Sequence, residues 1–134
     1  MDTKTDNPGS ELRWFWAWLV EMTVQKSNLD NPDAECELWK NLVIITAFDA
    51  KEAVRKAEVI GHAEEGDCNG TLNLWGQPAV TRFIGIENIG VIHEELRDGA
   101  EILWNLENCK QSQASETIRH HTILIEALER ELRS

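Results

Sequence analysis

The sequence predicts an α+β fold: a mostly antiparallel sheet of about five strands, one helix packed on it, and a long C-terminal helix. Three observations predict it. Period-two alternation rich in aromatic and β-branched residues recurs in several segments, helical periodicity is confined to two, and most connections are short. Runs of strands, rather than strict alternation with helices, count against a doubly wound nucleotide-binding fold. With 134 residues the chain can bury one core without disulfides or metal.

Residues 1–11, MDTKTDNPGSE, are polar, contain Pro8 and Gly9, and are expected to form a disordered lead-in. The α+β domain is placed at 12–109. Its first strand, 14–24, sets Trp14, Trp16, Trp18, Val20, Met22 and Val24 on one face. Phe15, Ala17 and Leu19 fill the other face before it turns polar at Glu21, Thr23 and Gln25, so the first half is expected to be covered on both sides. The three tryptophans are expected in the core or at a subunit contact. A helix through Leu12, Phe15, Trp16, Leu19 and Met22 is the competing register, but the polar alternation has no helical counterpart.

After a turn-rich stretch at 27–33, a second strand spans 37–47, and its run Leu42-Val43-Ile44-Ile45 predicts a central strand apolar on both faces. Asp49 opens a helix, with Glu52 three residues on as in a capping box. Ala50, Ala53, Val54, Ala57 and Ile60 or Gly61 give that helix a narrow small-residue face, which predicts close approach to a sheet. An acidic loop at 62–70 leads to strands 71–75 and 79–86, joined through Gly76-Gln77-Pro78. Gly85 marks a bulge or a close backbone approach. A bent connection, 88–98, and the turn Asp98-Gly99 lead to a last strand at 100–106. Residues 110–134 predict an amphipathic helix, about 112–133, striped by Ile118, His121, Ile125, Leu128 and Leu132. It belongs to the same domain or to an oligomer interface.

The aromatic first strand, Glu52-Ala53 with Lys56-Ala57, Trp75-Gly76 followed by Arg82-Phe83-Ile84-Gly85-Ile86, and Asp98-Gly99-Ala100-Glu101-Ile102 stand in a fixed order. In this the chain resembles a bacterial family of small domains of unknown function, from about Arg13 to Leu106. The resemblance implies a small domain and carries over no catalytic residue.

Net charge is −11, which argues against binding nucleic acid or an anionic membrane, because both need Lys and Arg to neutralise phosphates. The surplus lies wholly before Lys110, with its acidic clusters largely in connections and strand ends, while 110–134 is neutral. The apolar run 14–20 is too short for a membrane span and lacks a cleavage site. Three widely spaced cysteines, Cys36, Cys68 and Cys109, make a poor disulfide framework, so a cytoplasmic setting is expected. His62 and Cys68 lack the paired spacing of zinc ligands, and His120 and His121 point to different sides of a helix, so no metal or other cofactor is expected. The acidic loops also lack the spacing of a calcium loop.

No catalytic constellation is present either. The leading expectation is a non-enzymatic, acidic protein-interaction domain, of inhibitor or immunity type in one version, that binds a basic protein partner. It is expected to be a homo-oligomer through the C-terminal helix or a sheet edge. Trp75, Arg82, Glu87 and Glu101 are the candidate binding residues. The alternative is a small hydrolase or ligand-binding enzyme using Glu101 with a neighbouring acid or His93.

Overall fold

In the computed structural model, which describes residues 11–133, the alternating segment forms β1 (Arg13–Gln25), the strand around which the sheet is built. It is followed by β2 (Glu37–Ala47), α1 (Ala50–Ala63), β3 (Asn73–Leu74) and β4 (Gln77–Val91). The sheet order is β2-β1-β4-β3 and every pairing is antiparallel. The fold is thus α+β as expected, with four strands. The predicted strand at 100–106 does not form: β4 runs on to Val91, into the segment expected to be a connection, and gives β1 its full-length second neighbour. Residues 100–106 are left without a ladder, and Trp104 is 73% exposed.

One face of β1 builds the core. Phe15, Ala17 and Leu19 pack with Ile45 and Ala47 of β2 and with Ala53 and Ala57 of α1; Val43, Ile60, Phe83, Ile86, Ile89 and Val91 close in around them. As the small-residue stripe requires, Ala53, Ala57 and Gly61 are the buried positions of α1. Approach is closest at Gly61, where any Cβ would overlap the ring of Phe83. Asp49 Oδ1 accepts the Glu52 backbone N–H at 2.8 Å, and the Glu52 carboxylate reaches back to the Phe48 N–H at 2.6 Å. One donor that the first turn leaves unpaired, the Glu52 N–H, is thereby satisfied, together with the Phe48 N–H just before the helix, and the Asp49 cap is worth about 1 kcal/mol.

The other face corrects two expectations. Within this unit β1 is not covered on both sides: its single helix can cover only one face, and Trp14, Trp16 and Trp18 lie on the other, half-buried by strand neighbours rather than in the core. Nor is β2 central. It is an edge strand, whose alternate residues Leu42 and Ile44 extend the open apolar face while Val43 and Ile45 enter the core. A continuous apolar run therefore reads the same whether its second face meets a layer or solvent.

β4 departs from regular pairing twice. Trp18 faces Asn88 but Leu19 faces Ile86, and Val20 faces Gly85 but Glu21 faces Phe83, so Glu87 and Ile84 are extra residues on either side of Gly85. The bulge expected at Gly85 is present, and the paired shifts curl the sheet. The β3–β4 hairpin turns through Trp75-Gly76, one step earlier than expected, with both residues at positive φ (51° and 84°). This is the geometry of a two-residue primed turn, and Asn73 Oδ1 accepts the Gly76 N–H at 2.9 Å within it.

This unit closes at Leu103, and a second begins at Trp104. Within the second, the predicted single helix is broken. A short α2 (Gln111–Ala114) and a 3₁₀ turn (Ser115–Thr117) end at Ile118, which is extended, and α3 (His121–Arg133) starts afresh. His120 Nδ1 accepts the Thr122 N–H at 3.1 Å and so supplies a cap at the break. The adjacent His120 and His121 rings stack at 4.4 Å.

Candidate functional site

Strand and helix lengths do not match, and the mismatch makes a concavity. The 13-residue β1 is about 44 Å long, whereas the 14-residue α1 is about 21 Å long. The helix covers the Phe15-to-Leu19 half of the face, and there the apolar alternation of the inner positions ends. Beyond it, Glu21 and Thr23 of β1, Glu37 and Trp39 of β2, Glu64 after α1, Leu72 before β3, Asn73 of β3 and Thr81 of β4 line a hollow of about 290 Å³.

Its floor is a part-buried hydroxyl pair, Thr23 Oγ1 and Thr81 Oγ1, 3.0 Å apart on adjacent strands. Asn41 Nδ2 donates to Glu21 Oε1 at 3.2 Å and fixes that carboxylate. Trp39 is 50% exposed at the rim. Three carboxylates thus line the hollow, and no Lys, Arg or His is among its lining residues. The volume suits one long side chain or a short stretch of peptide and sits at the lower limit for small-molecule pockets. A second hollow, about 190 Å³ between the start of α1 and the sheet, is lined by Phe15, Ala50, Ala53, Val54, Ile89, Gly90 and Val91, none with a polar side chain.

The acidic loop at 62–70 divides by role. Glu65 accepts the Phe83 backbone N–H at 2.9 Å and lies 3.0 Å from His62 Nδ1; the His62 hydrogen bond, then the Phe83 amide, hold its carboxyl below the ordinary range. Asp67 accepts from Lys26 Nζ at 2.6 Å and from the Gly70 N–H at 3.0 Å, and the Lys26 bond is the main cause of its lowered pKa. Between them, Gly66 and Thr81 exchange backbone hydrogen bonds at 3.1 and 2.8 Å. Glu65 thus ties the loop to β4, and Asp67 ties it to the turn that follows β1. Glu64 is held in place beside them and turns toward the hollow.

The candidates named from sequence are dispersed. Trp75 stands at the hairpin tip, 57% exposed, in the left-handed region that a bulky residue enters at a cost of about 1 kcal/mol or more. Arg82 faces Met22 across the β1–β4 ladder. Glu87 sits at a bulge and pairs with Lys40 at 2.8 Å. Glu101 and His93 are exposed in irregular chain, and neither shows a hydrogen bond to another titratable group. No three His, Cys, Asp or Glu side chains among the described residues are grouped to hold a metal ion. No helix of the described residues is long and apolar enough to cross a membrane. What the sequence reading missed is the set Glu21, Glu37, Glu64 and Trp39. The signal was the polar turn of the inner face at Glu21 and Thr23, which marks where the helix stops covering β1.

Fold and hollow together define a small α+β domain whose curled antiparallel sheet carries one helix and leaves an acidic concavity beyond its end. The chain belongs to the family described as Domain of unknown function (DUF4288), which it matches over residues 14–104. No curated protein and no solved structure matches it.

Proposed function

We infer that this domain is a non-enzymatic protein-interaction module that takes a basic side chain, presented by a protein partner, into the hollow at the end of α1. The observation that carries this reading is the lining itself: Glu21, Glu37 and Glu64 converge with a half-exposed Trp39, and no Lys, Arg or His is among the described residues that line the hollow. A guanidinium or ammonium group fits such a lining twice over. Its charge is drawn to the carboxylates, with bidentate geometry available to arginine, and its face to the indole. The inhibitor or immunity type of partner, a basic enzyme whose phosphate-binding cleft the acids would occupy, is one form of this reading. Three cysteines without a disulfide suit a bacterial cytoplasm as its setting.

The test is a titration of an arginine-containing peptide and its glutamate-substituted counterpart against the full chain, read by tryptophan fluorescence at low and high salt. The expected result is binding of the basic peptide alone, weakened by added salt and by about tenfold in Glu64→Gln or Trp39→Ala. Equal binding of both peptides, or binding indifferent to salt and to these substitutions, overturns the reading.

A further inference from the structure

We propose that two copies of this chain join through β2, whose open edges pair antiparallel about a two-fold axis at Asn41 to make one continuous sheet.

The orientation of the edge follows from two hydrogen bonds. Ile92 N donates to Trp14 O at 2.9 Å, so the polar groups of Trp14 face the β4 side. Thr46 lies opposite Trp14, and its own N–H and C=O therefore point away from β1; the Lys56 ammonium takes that carbonyl at 2.7 Å. The β1–β2 register runs from Arg13 opposite Ala47 to Thr23 opposite Glu37 without a shift, so the same parity holds along the strand. Leu38, Lys40, Leu42 and Ile44 thus present their N–H and C=O groups outward. Within the unit that ends at Leu103, no strand of the sheet pairs with them on that side.

An edge of this kind is a template for another strand unless it is blunted. The remainder of β4 is blunted: it carries two bulges, the charge of Glu87, and Asn88, whose Oδ1 occupies the Ile89 N–H at 2.9 Å. Its lower part is covered by β3 and by Gly66. β2 has no bulge and no proline, and Lys40 is its one charge between Leu38 and Thr46.

The pattern of side chains selects a second copy and one register. A two-fold at Asn41 sets Leu38 opposite Ile44 and Lys40 opposite Leu42 on the open face, with Trp39 opposite Val43 on the other. The outward groups of Leu38, Lys40, Leu42 and Ile44 are then all paired, the stretch ends where Lys56 caps the Thr46 carbonyl, and no like charges stand directly opposite. Moving the axis to Lys40 sets the two ammonium groups against each other, and moving it to Leu42 draws in the capped Thr46. Leu38, Leu42 and Ile44, exposed in the single chain, are covered at the seam. The partner's outward groups are the same as this chain's, so one isologous contact satisfies both.

The experiment is sedimentation of the full chain with four variants, each checked for folding by circular dichroism. Leu42→Pro deletes an outward N–H that β1 does not use, and Leu42→Lys sets a charge beside the axis. The other two, Asn41→Cys and Leu42→Cys, are made with Cys36, Cys68 and Cys109 replaced by Ser. The expected result is a mass twice that of the chain, reduced to the single chain in folded Leu42→Pro and Leu42→Lys. Under oxidation Asn41→Cys should form a covalent dimer, since non-bonded partners in an antiparallel pair lie at disulfide distance, and Leu42→Cys should not. A single-chain mass for the unaltered protein, a dimer that both Leu42→Pro and Leu42→Lys leave intact, or cross-linking at Leu42→Cys instead of Asn41→Cys overturns the proposal. Peptide binding in the hollow is read separately, so either result stands without the other.

Discussion

The indole of Trp16 fills the space that a side chain at its cross-strand neighbour Gly90 would occupy. A glycine inside a strand exposes backbone and loses more conformational freedom than any other residue; an aromatic ring laid over it restores cover. Gly90→Ala should therefore displace the ring rather than break the core, because Trp16 lies on the open face and can swing outward. The expected outcome is a loss of at most about 1 kcal/mol in urea unfolding, with tryptophan emission shifted toward the red.

Gly61→Ala poses the same overlap where neither partner can retreat. Helix propensity alone would favour alanine by about 1 kcal/mol. The new methyl meets the Phe83 ring, which packs against the core and stands edge-on to His62 at 4.9 Å. Separation of α1 from the sheet should win, with a net loss of about 1–3 kcal/mol and a lower thermal midpoint.

Acid should loosen the loop at 64–72. The carboxyls of Glu65 and Asp67 are held below their ordinary values of 4.5 and 3.8, so folding favours their charged forms. A depressed folded pKa gives stability that is fully present above the unfolded value and is lost as pH falls through the folded one. The thermal midpoint should accordingly be flat with respect to these groups above about pH 5 and decline below about pH 4. A Glu65→Gln, Asp67→Asn double variant should start lower at neutral pH and decline less on acidification.

The Thr23–Thr81 hydroxyl pair allows a double-mutant cycle. Thr23→Val or Thr81→Val alone strands the partner hydroxyl at a site where Thr23 is buried, at a cost of about 1 kcal/mol or more. Changing both should cost less than the sum of the single losses, because no polar group is left unpaired. Additive losses in equilibrium unfolding would refute the pairing.

The fold was legible wherever a segment's own chemistry decided its conformation. Asp49 with Glu52 marked the start of α1, the alanines marked its inner side, and the alternation of β1 excluded a helix. What failed depended on neighbours. Leu42-Val43-Ile44-Ile45 has the same pattern at an edge as at a centre, and the alternation from Ala100 to Leu106 is strand-like but finds no ladder, because β4 already occupies the place beside β1. The hollow was hidden for a related reason: Glu21, Glu37 and Glu64 are far apart in sequence and meet only because α1 is shorter than the strand beneath it. Trp75, by contrast, was recognisable as an outward aromatic from the turn residue beside it.

The placement of β1 between an early and a late partner bears on how the chain is made. β2 follows β1 across a short connection, so these two can pair as soon as both have emerged, whereas the residues of β4 that flank Trp14 to Leu19 are synthesised tens of residues later. At about 5–20 residues per second that interval lasts seconds. Throughout it a nascent two-stranded ribbon carrying Trp14, Trp16 and Trp18 shows two bare edges, long enough for a chaperone or a neighbouring ribosome's product to reach it before β4 does.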